Sequence, residues 1–141
     1  MGLFDNLRSN SETDLSPRAA MLLACISMIG ADGFVDDDEL AIVIRIDGGA
    51  RTPAWDQALR AWRQIPSPHD CVSLVAAHLD YEQRRFTLAN LVDIAMADGF
   101  LEGAERALLQ AYLIAFDLES SFVDAVGEVI GTKNNRSLFN N

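Results

Sequence analysis

Carboxylate side chains gather in two short stretches of the chain, and their spacing is its most distinctive chemical feature. Each stretch has an aspartate directly before a glycine, then two hydrophobic residues, then two acids three positions apart. Oxygen ligands without a neighbouring histidine or cysteine suit calcium, magnesium or manganese better than zinc. The candidate metal ligands are Asp32, Asp36 and Glu39 in the first stretch and Asp98, Glu102 and Glu105 in the second.

The same acids also have a structural interpretation, which is the default. An acid followed three positions later by Glu can cap the first turn of a helix, where the helix dipole is positive. Asp32 and Asp98 do not fit this explanation, because each follows a predicted helix whose C-terminal end is already partly negative. Either they accept hydrogen bonds from amides of the next helix or they bind a cation, and the sequence leaves both open.

The first acidic stretch resembles the second half of an EF-hand calcium loop, with its middle acid, glycine, hydrophobe and final Glu. The first half of such a loop is missing in both stretches. Apolar residues or glycine stand where the first two ligands belong, namely Met28, Gly30, Ile94 and Met96. A weaker site that uses fewer carboxylates stays open, particularly if the two stretches face each other and pool their carboxylates.

The surrounding pattern predicts about seven helices, in a compact all-α single-domain bundle. Each acidic stretch would form an Asp-Gly turn between two helices, so the chain carries an internal pseudo-repeat of helix, acidic turn and helix. The segment 41–46 alone could be a strand, because it is rich in β-branched residues. Its counterpart 107–112 consists of good helix formers, which favours a helix in both copies. The predicted helices span roughly 17–29, 36 or 37 to 47, 53–65, 68–79, 81–96, 102–116, and 120 or 121 to 130.

Length and composition limit the class of protein. The chain has 141 residues, half of them hydrophobic, which is enough for one buried core. We predict an N-terminal tail at 1–15, a helical domain at 16–132 and a flexible C-terminal tail at 133–141. The formal charge of −10 argues against nucleic acid as a partner. No apolar run is long enough to insert into a membrane, and no secretion signal begins the chain, so we expect a cytoplasmic protein.

The remaining reactive or aromatic residues carry weaker signals. Cys25 and Cys71 each lie inside an apolar run and are expected to be reduced core thiols. The stripe of Trp55, Leu59 and Trp62 is more often core than a partner site. No acid, base and nucleophile are assembled, so we expect no enzymatic activity and no catalytic residues.

Two Ala-Asp-Gly-hydrophobe turns, 66 positions apart and each with a Glu six positions after its glycine, resemble the TerB-like tellurite-resistance family. A related domain occurs in DnaJ-like co-chaperones. The resemblance covers roughly residues 16–132. The second copy departs from the first, because Gly103 and Ala104 stand opposite Asp37 and Asp38. The matching positions are Asp32, Gly33 and Glu39 in the first turn and Asp98, Gly99 and Glu105 in the second.

The resemblance implies a non-enzymatic accessory protein of tellurite resistance and the stress response. It also implies a divalent cation at the acidic turns and a protein partner such as a TerC-like membrane protein, which would bring the chain to the periphery of the inner membrane. The alternative is a purely structural interaction module whose acids are helix caps. The oligomeric state, the stress and the identity of the cation are not predicted.

Overall fold

The computed structural model describes residues 15–32, 37–48, 52–96, 103–135 and 137; within them, the side chains of Asp32, Asp37, Asp38, Glu39 and Asn134 are not described. In these ranges all regular structure is helical, as the sequence predicts. The α-helices are α1 (Pro17–Ile29), α2 (Asp37–Ile46), α3 (Pro53–Gln64), α4 (Cys71–Ala77), α5 (Tyr81–Ala95), α6 (Gly103–Phe116) and α7 (Ser120–Asn134). Short 3-10 helices, Gly30–Asp32 and Pro68–Asp70, extend α1 and precede α4.

Helix α1 lies at the centre of the bundle. Every residue from Ala19 to Ile29 is buried, so the helix is covered on all sides. It packs against α2, α3, α4, α5 and α6, while α7 packs on the outer side of α5. The unbroken apolar run of α1 is therefore explained by its central position.

Two helix starts form as their sequences predict. The Ser16 hydroxyl accepts a hydrogen bond from the Ala19 amide at 3.1 Å, and Pro17 occupies the first helical position. At α5, the Asp80 carboxylate and the Gln83 side chain each accept a bond from the other residue's backbone amide, both at 2.8 Å. These reciprocal bonds form a capping box.

Two other segments differ from these simple helix starts. In the described structure the Thr52 side chain makes no capping hydrogen bond to α3. Its hydroxyl donates instead to Asp47 at 2.7 Å. The predicted fourth helix is divided into the 3-10 helix Pro68–Asp70 and α4.

Residues at the inner edge of each predicted tail contact the helical domain. Leu15 was assigned to the N-terminal tail but is 8% exposed and belongs to the core. Helix α7 continues through Asn134, two residues into the predicted C-terminal tail. Two contacts hold this last turn: Thr132 donates to the Glu128 carbonyl at 3.0 Å, and Lys133 lies 3.3 Å from the Asp93 carboxylate.

Helix α6 ends with a left-handed residue that is not glycine. Asp117 has φ of 56°. The Leu118 amide donates to the Leu113 carbonyl, and the Asp117 amide donates to the Ile114 carbonyl. This pair of bonds is a Schellman motif, in which the left-handed position usually carries glycine.

Candidate functional site

The structure describes the six predicted metal ligands unequally. Asp32 ends the 3-10 helix Gly30–Asp32, and Glu39 lies in the first turn of α2. Glu105 lies in the first turn of α6, and its side chain is half-buried. The other three acids, Asp36, Asp98 and Glu102, lie outside the described residues.

No group of three or more His, Cys, Asp or Glu side chains that could hold a metal occurs in the part of the chain whose side chains are described. Glu105 is the one predicted ligand whose side chain belongs to that part. The pooled cation site, and the pseudo-repeat of the two acidic turns, therefore stay predictions.

The helices that lead into the two acidic stretches lie next to each other. Helix α1 packs against α5, and the first turns of both helices line one groove, through Pro17 and Arg18 on α1 and Glu82 and Gln83 on α5. The two helices therefore start side by side. At the other end of α1, the 3-10 helix Gly30–Asp32 packs against α6, the helix that follows the second acidic stretch.

A buried carboxylate outside the predicted site holds the end of α2 against α1. The Asp47 side chain has no exposed surface, and its two oxygens accept from Arg18 Nε and from the Thr52 hydroxyl. Arg18 Nη2 also donates to the Asp47 carbonyl at 2.8 Å. Burial alone would raise the pKa of Asp47, but the bonds from Thr52 and Arg18 and the guanidinium charge outweigh it and lower the pKa.

A second polar contact lies deep in the core. The Ser27 hydroxyl donates to the Ala24 carbonyl at 2.7 Å, and its oxygen lies 2.6 Å from the Tyr112 hydroxyl. Because a serine hydroxyl has one hydrogen, Tyr112 is the donor in the second bond. Burial raises the pKa of Tyr112 well above its ordinary value, despite the opposing effect of Ser27.

Both cysteines are free thiols buried in the core, as predicted. Burial raises the pKa of the Cys25 thiol to about 12. Burial, with the nearby charge of Asp70, raises the pKa of Cys71 to about 12 as well. Since the thiolate is the reactive form, neither cysteine is a nucleophile at neutral pH.

The tryptophan stripe belongs mainly to the core. Trp55 is 4% exposed, and Leu59 and Trp62 are partly buried against the same cluster. The core interpretation of these residues is therefore confirmed.

Arg84 lies between the ends of two helices and does not form part of a solvated helix face. Its guanidinium donates to the Ala76 carbonyl at 2.7 Å and to the Phe116 carbonyl at 3.3 Å, near the ends of α4 and α6. A cation there satisfies carbonyls that the helices leave unpaired and opposes the negative ends of their dipoles. Arg85 lies 4.8 Å from the ring centroid of Phe122 and 3.5 Å from the carboxylate of Glu82.

Sequence reasoning missed the contacts of Asp47, Ser27 and Arg84 because each joins segments far apart in the chain. Asp47 and Arg18 are 29 positions apart, and Ser27 and Tyr112 are 85 apart. A polar residue within an apolar run, such as Ser27, was the one available signal that a buried partner exists.

A match to a known family now joins these observations. Residues 18–127 match the family described as Tellurite resistance protein TerB. The chain belongs to the TerB family. The TerB match begins in the first turn of α1, ends in α7 and includes both acidic stretches. Neither a curated protein nor a solved structure matches this TerB chain. None of the helices described for it is long and apolar enough to cross a membrane.

Proposed function

We propose that this chain is a non-enzymatic accessory protein of tellurite resistance or the related stress response. It acts by binding a protein partner, and it holds a divalent cation at its paired acidic turns. The observation that carries the proposal is the TerB match over residues 18–127, because it includes all six candidate ligands.

In this mechanism a calcium, magnesium or manganese ion neutralises carboxylates contributed by both turns. The packing of α1 against α5, and of the 3-10 helix Gly30–Asp32 against α6, supports pooling of the two turns. All six candidates are carboxylates, a donor set that suits hard cations. The bound ion would fix the two helix pairs relative to each other.

The partner would then bind the surface fixed by the ion. A TerC-like membrane protein is the partner that the family resemblance implies, and it would place the cytoplasmic chain beside the inner membrane. An acidic surface, from a formal charge of −10, favours basic segments of such a partner over anionic lipid.

Thermal unfolding of chelator-treated protein, titrated with calcium, magnesium and manganese, tests the cation site. A ligand that binds the folded state alone stabilises it, by about 2.7 kcal/mol at 100 times its dissociation constant. We expect one cation to raise Tm at sub-millimolar concentration. Asp32→Asn and Asp98→Asn should abolish the rise, whereas Asp124→Asn, an exposed carboxylate on α7, should keep it.

The second candidate function is a purely structural interaction module whose acids are helix caps. It is favoured by the position of Glu39 and Glu105 in the first turns of α2 and α6, where negative charge is stabilised by the helix dipole. If no cation changes Tm of the native protein, the cation site is excluded and this module becomes the working function. Partner binding should then be the same in chelator and in cation.

A further inference from the structure

A groove of about 460 Å³ lies between the first turns of α1, the end of α2 and the first half of α5. Its size falls within the range of roughly 300–1,000 Å³ that is usual for ligand pockets. Its apolar lining consists of Pro17, Met21, Ile46, Leu79 and Phe86. Phe86 is 56% exposed, so a large apolar side chain lies uncovered at this groove.

A polar group beneath the groove also has no partner among the described residues. Thr87 is 1% exposed and is part of the groove's lining. Its hydroxyl makes no hydrogen bond to any residue that the structure describes. Buried hydroxyl groups are usually paired, so Thr87 is an exception among the described residues.

The N-terminal segment is covalently joined to residues that line this groove. Leu15 is buried in the core, and Pro17, two residues later, already lines the groove. Residues 9–14 are all polar and can span at most about 20 Å when extended. The tether that joins residues 1–8 to the groove is therefore short.

The sequence of this segment is suited to an apolar groove. Leu3, Phe4 and Leu7 are spaced so that a helical turn would present them on one face. A short tether keeps such a face at an effective concentration in the millimolar range, which allows even a small apolar contact to form.

We propose that residues 3–7 dock in the groove between α1, α2 and α5, with Phe4 against Phe86. The exposed ring of Phe86 supplies the apolar surface for this contact. The groove is then a docking site for the chain's own N-terminus. This proposal is independent of the cation at the acidic turns, because it uses none of their residues.

Disulfide trapping in the full-length chain tests the proposal. In the double variant Phe4→Cys/Phe86→Cys, a mild oxidant such as diamide removes two hydrogens and joins the thiols when they come within bonding reach. Cys25 and Cys71 do not interfere, since both are buried. Intact mass under non-reducing conditions, at low protein concentration, measures the intramolecular product.

The matched control is Phe4→Cys/Ile114→Cys. Ile114 is 70% exposed and lies on α6, which does not line the groove. We expect the groove pair to cross-link about tenfold faster than the control pair, because docking raises the local concentration of the thiols. Adding Leu7→Asp should remove this difference.

Equal rates for the two pairs would overturn the proposal. So would a product made only of cross-linked dimers, which would show that the groove takes the segment of a second copy. Phe86 is 56% exposed and lies outside the buried core cluster, so its replacement should leave the fold intact.

Discussion

Asp47 carries its charge without any exposed side-chain surface, and donor groups of Thr52 and Arg18 make this favourable. Thr52 and Arg18 supply hydrogen bonds to both carboxylate oxygens, and Arg18 also bonds the backbone carbonyl. Half of the Arg18 side chain is exposed, so solvent screens part of the ion pair. The hydrogen bonds therefore contribute more to this contact than the screened charge attraction does.

The lowered pKa of Asp47 predicts a loss of stability in acid. Since the folded-state pKa lies below the ordinary value of 3.8, the contribution is full well above pH 3.8 and disappears as pH falls through the folded-state pKa. Asp47→Asn should lower the free energy of unfolding by about 1.5–3 kcal/mol at pH 7. Urea denaturation should show this deficit shrinking below pH 4.

Asp124→Asn is the control for this series, because that carboxylate is exposed on α7. It should change stability little at any pH. A deficit for Asp47→Asn that stays constant between pH 7 and pH 3 would contradict the assigned role of the charge.

Removing the buried hydroxyl of Ser27 and removing that of Thr87 should change the free energy of unfolding differently. Ser27→Ala leaves the Tyr112 hydroxyl unpaired in the core, so it should lower the free energy of unfolding by about 1–3 kcal/mol. Thr87→Val removes a hydroxyl that has no partner in the described structure, so it should be neutral or stabilising by a similar amount. Chemical denaturation of both variants measures the contrast. A large loss in Thr87→Val would show that its hydroxyl is paired.

At the scale of helices, most starts could be predicted because they depend on neighbouring residues. Ser16 with Pro17, and Asp80 with Gln83, contain the whole capping interaction within four positions. Thr52 has the same local signal as Ser16, yet its hydroxyl bonds Asp47. A cap fails in this way when a tertiary partner competes for the side chain, and local sequence does not contain that information.

The candidate site was less predictable than the helices. Spacing alone identified the acids in both stretches, but whether carboxylates 66 positions apart meet depends on the path of the turns between helices. The contacts that the structure does show, such as Asp47 with Arg18, likewise depend on packing over long separations.

One residue just after α2 and one just after α6 have a left-handed backbone, and opposite substitutions at the two positions test its effect on stability. Gly48 has φ of 94°. A Cβ there would lie 3.6 Å from Arg18 Nη2, an ordinary contact distance, so replacing Gly48 would destabilise the protein through backbone strain and not through crowding. Gly48→Ala should destabilise by about 1 kcal/mol. Asp117→Gly places glycine at a left-handed position and should stabilise by up to about 1 kcal/mol. Thermal unfolding should move Tm in opposite directions for the two variants.

At the scale of the whole molecule, α1 links the stability of the bundle to its buried titratable groups. Five of the six other helices pack on α1, so solvent reaches Cys25 only when the bundle opens. Cys71, on α4, is also fully buried. Labelling of either thiol by an aromatic disulfide reagent should therefore be slow in native buffer and fast in denaturant.

Because of the same two thiols, we expect the folded protein to lose stability at alkaline pH. Their pKa in the folded state is about 12, against an ordinary value of 9.0, so above pH 9 the unfolded chain loses protons that the folded chain keeps. The folded state then binds more protons, and stability must fall as pH rises. Two such groups lower the free energy of unfolding by about 3 kcal/mol between pH 8 and pH 10. In Cys25→Ala/Cys71→Ala, overall stability is lower because of the cavities, but the decrease between these pH values should nearly vanish. An equal decrease in both proteins would assign alkaline unfolding to other groups, of which Tyr112 is the buried candidate.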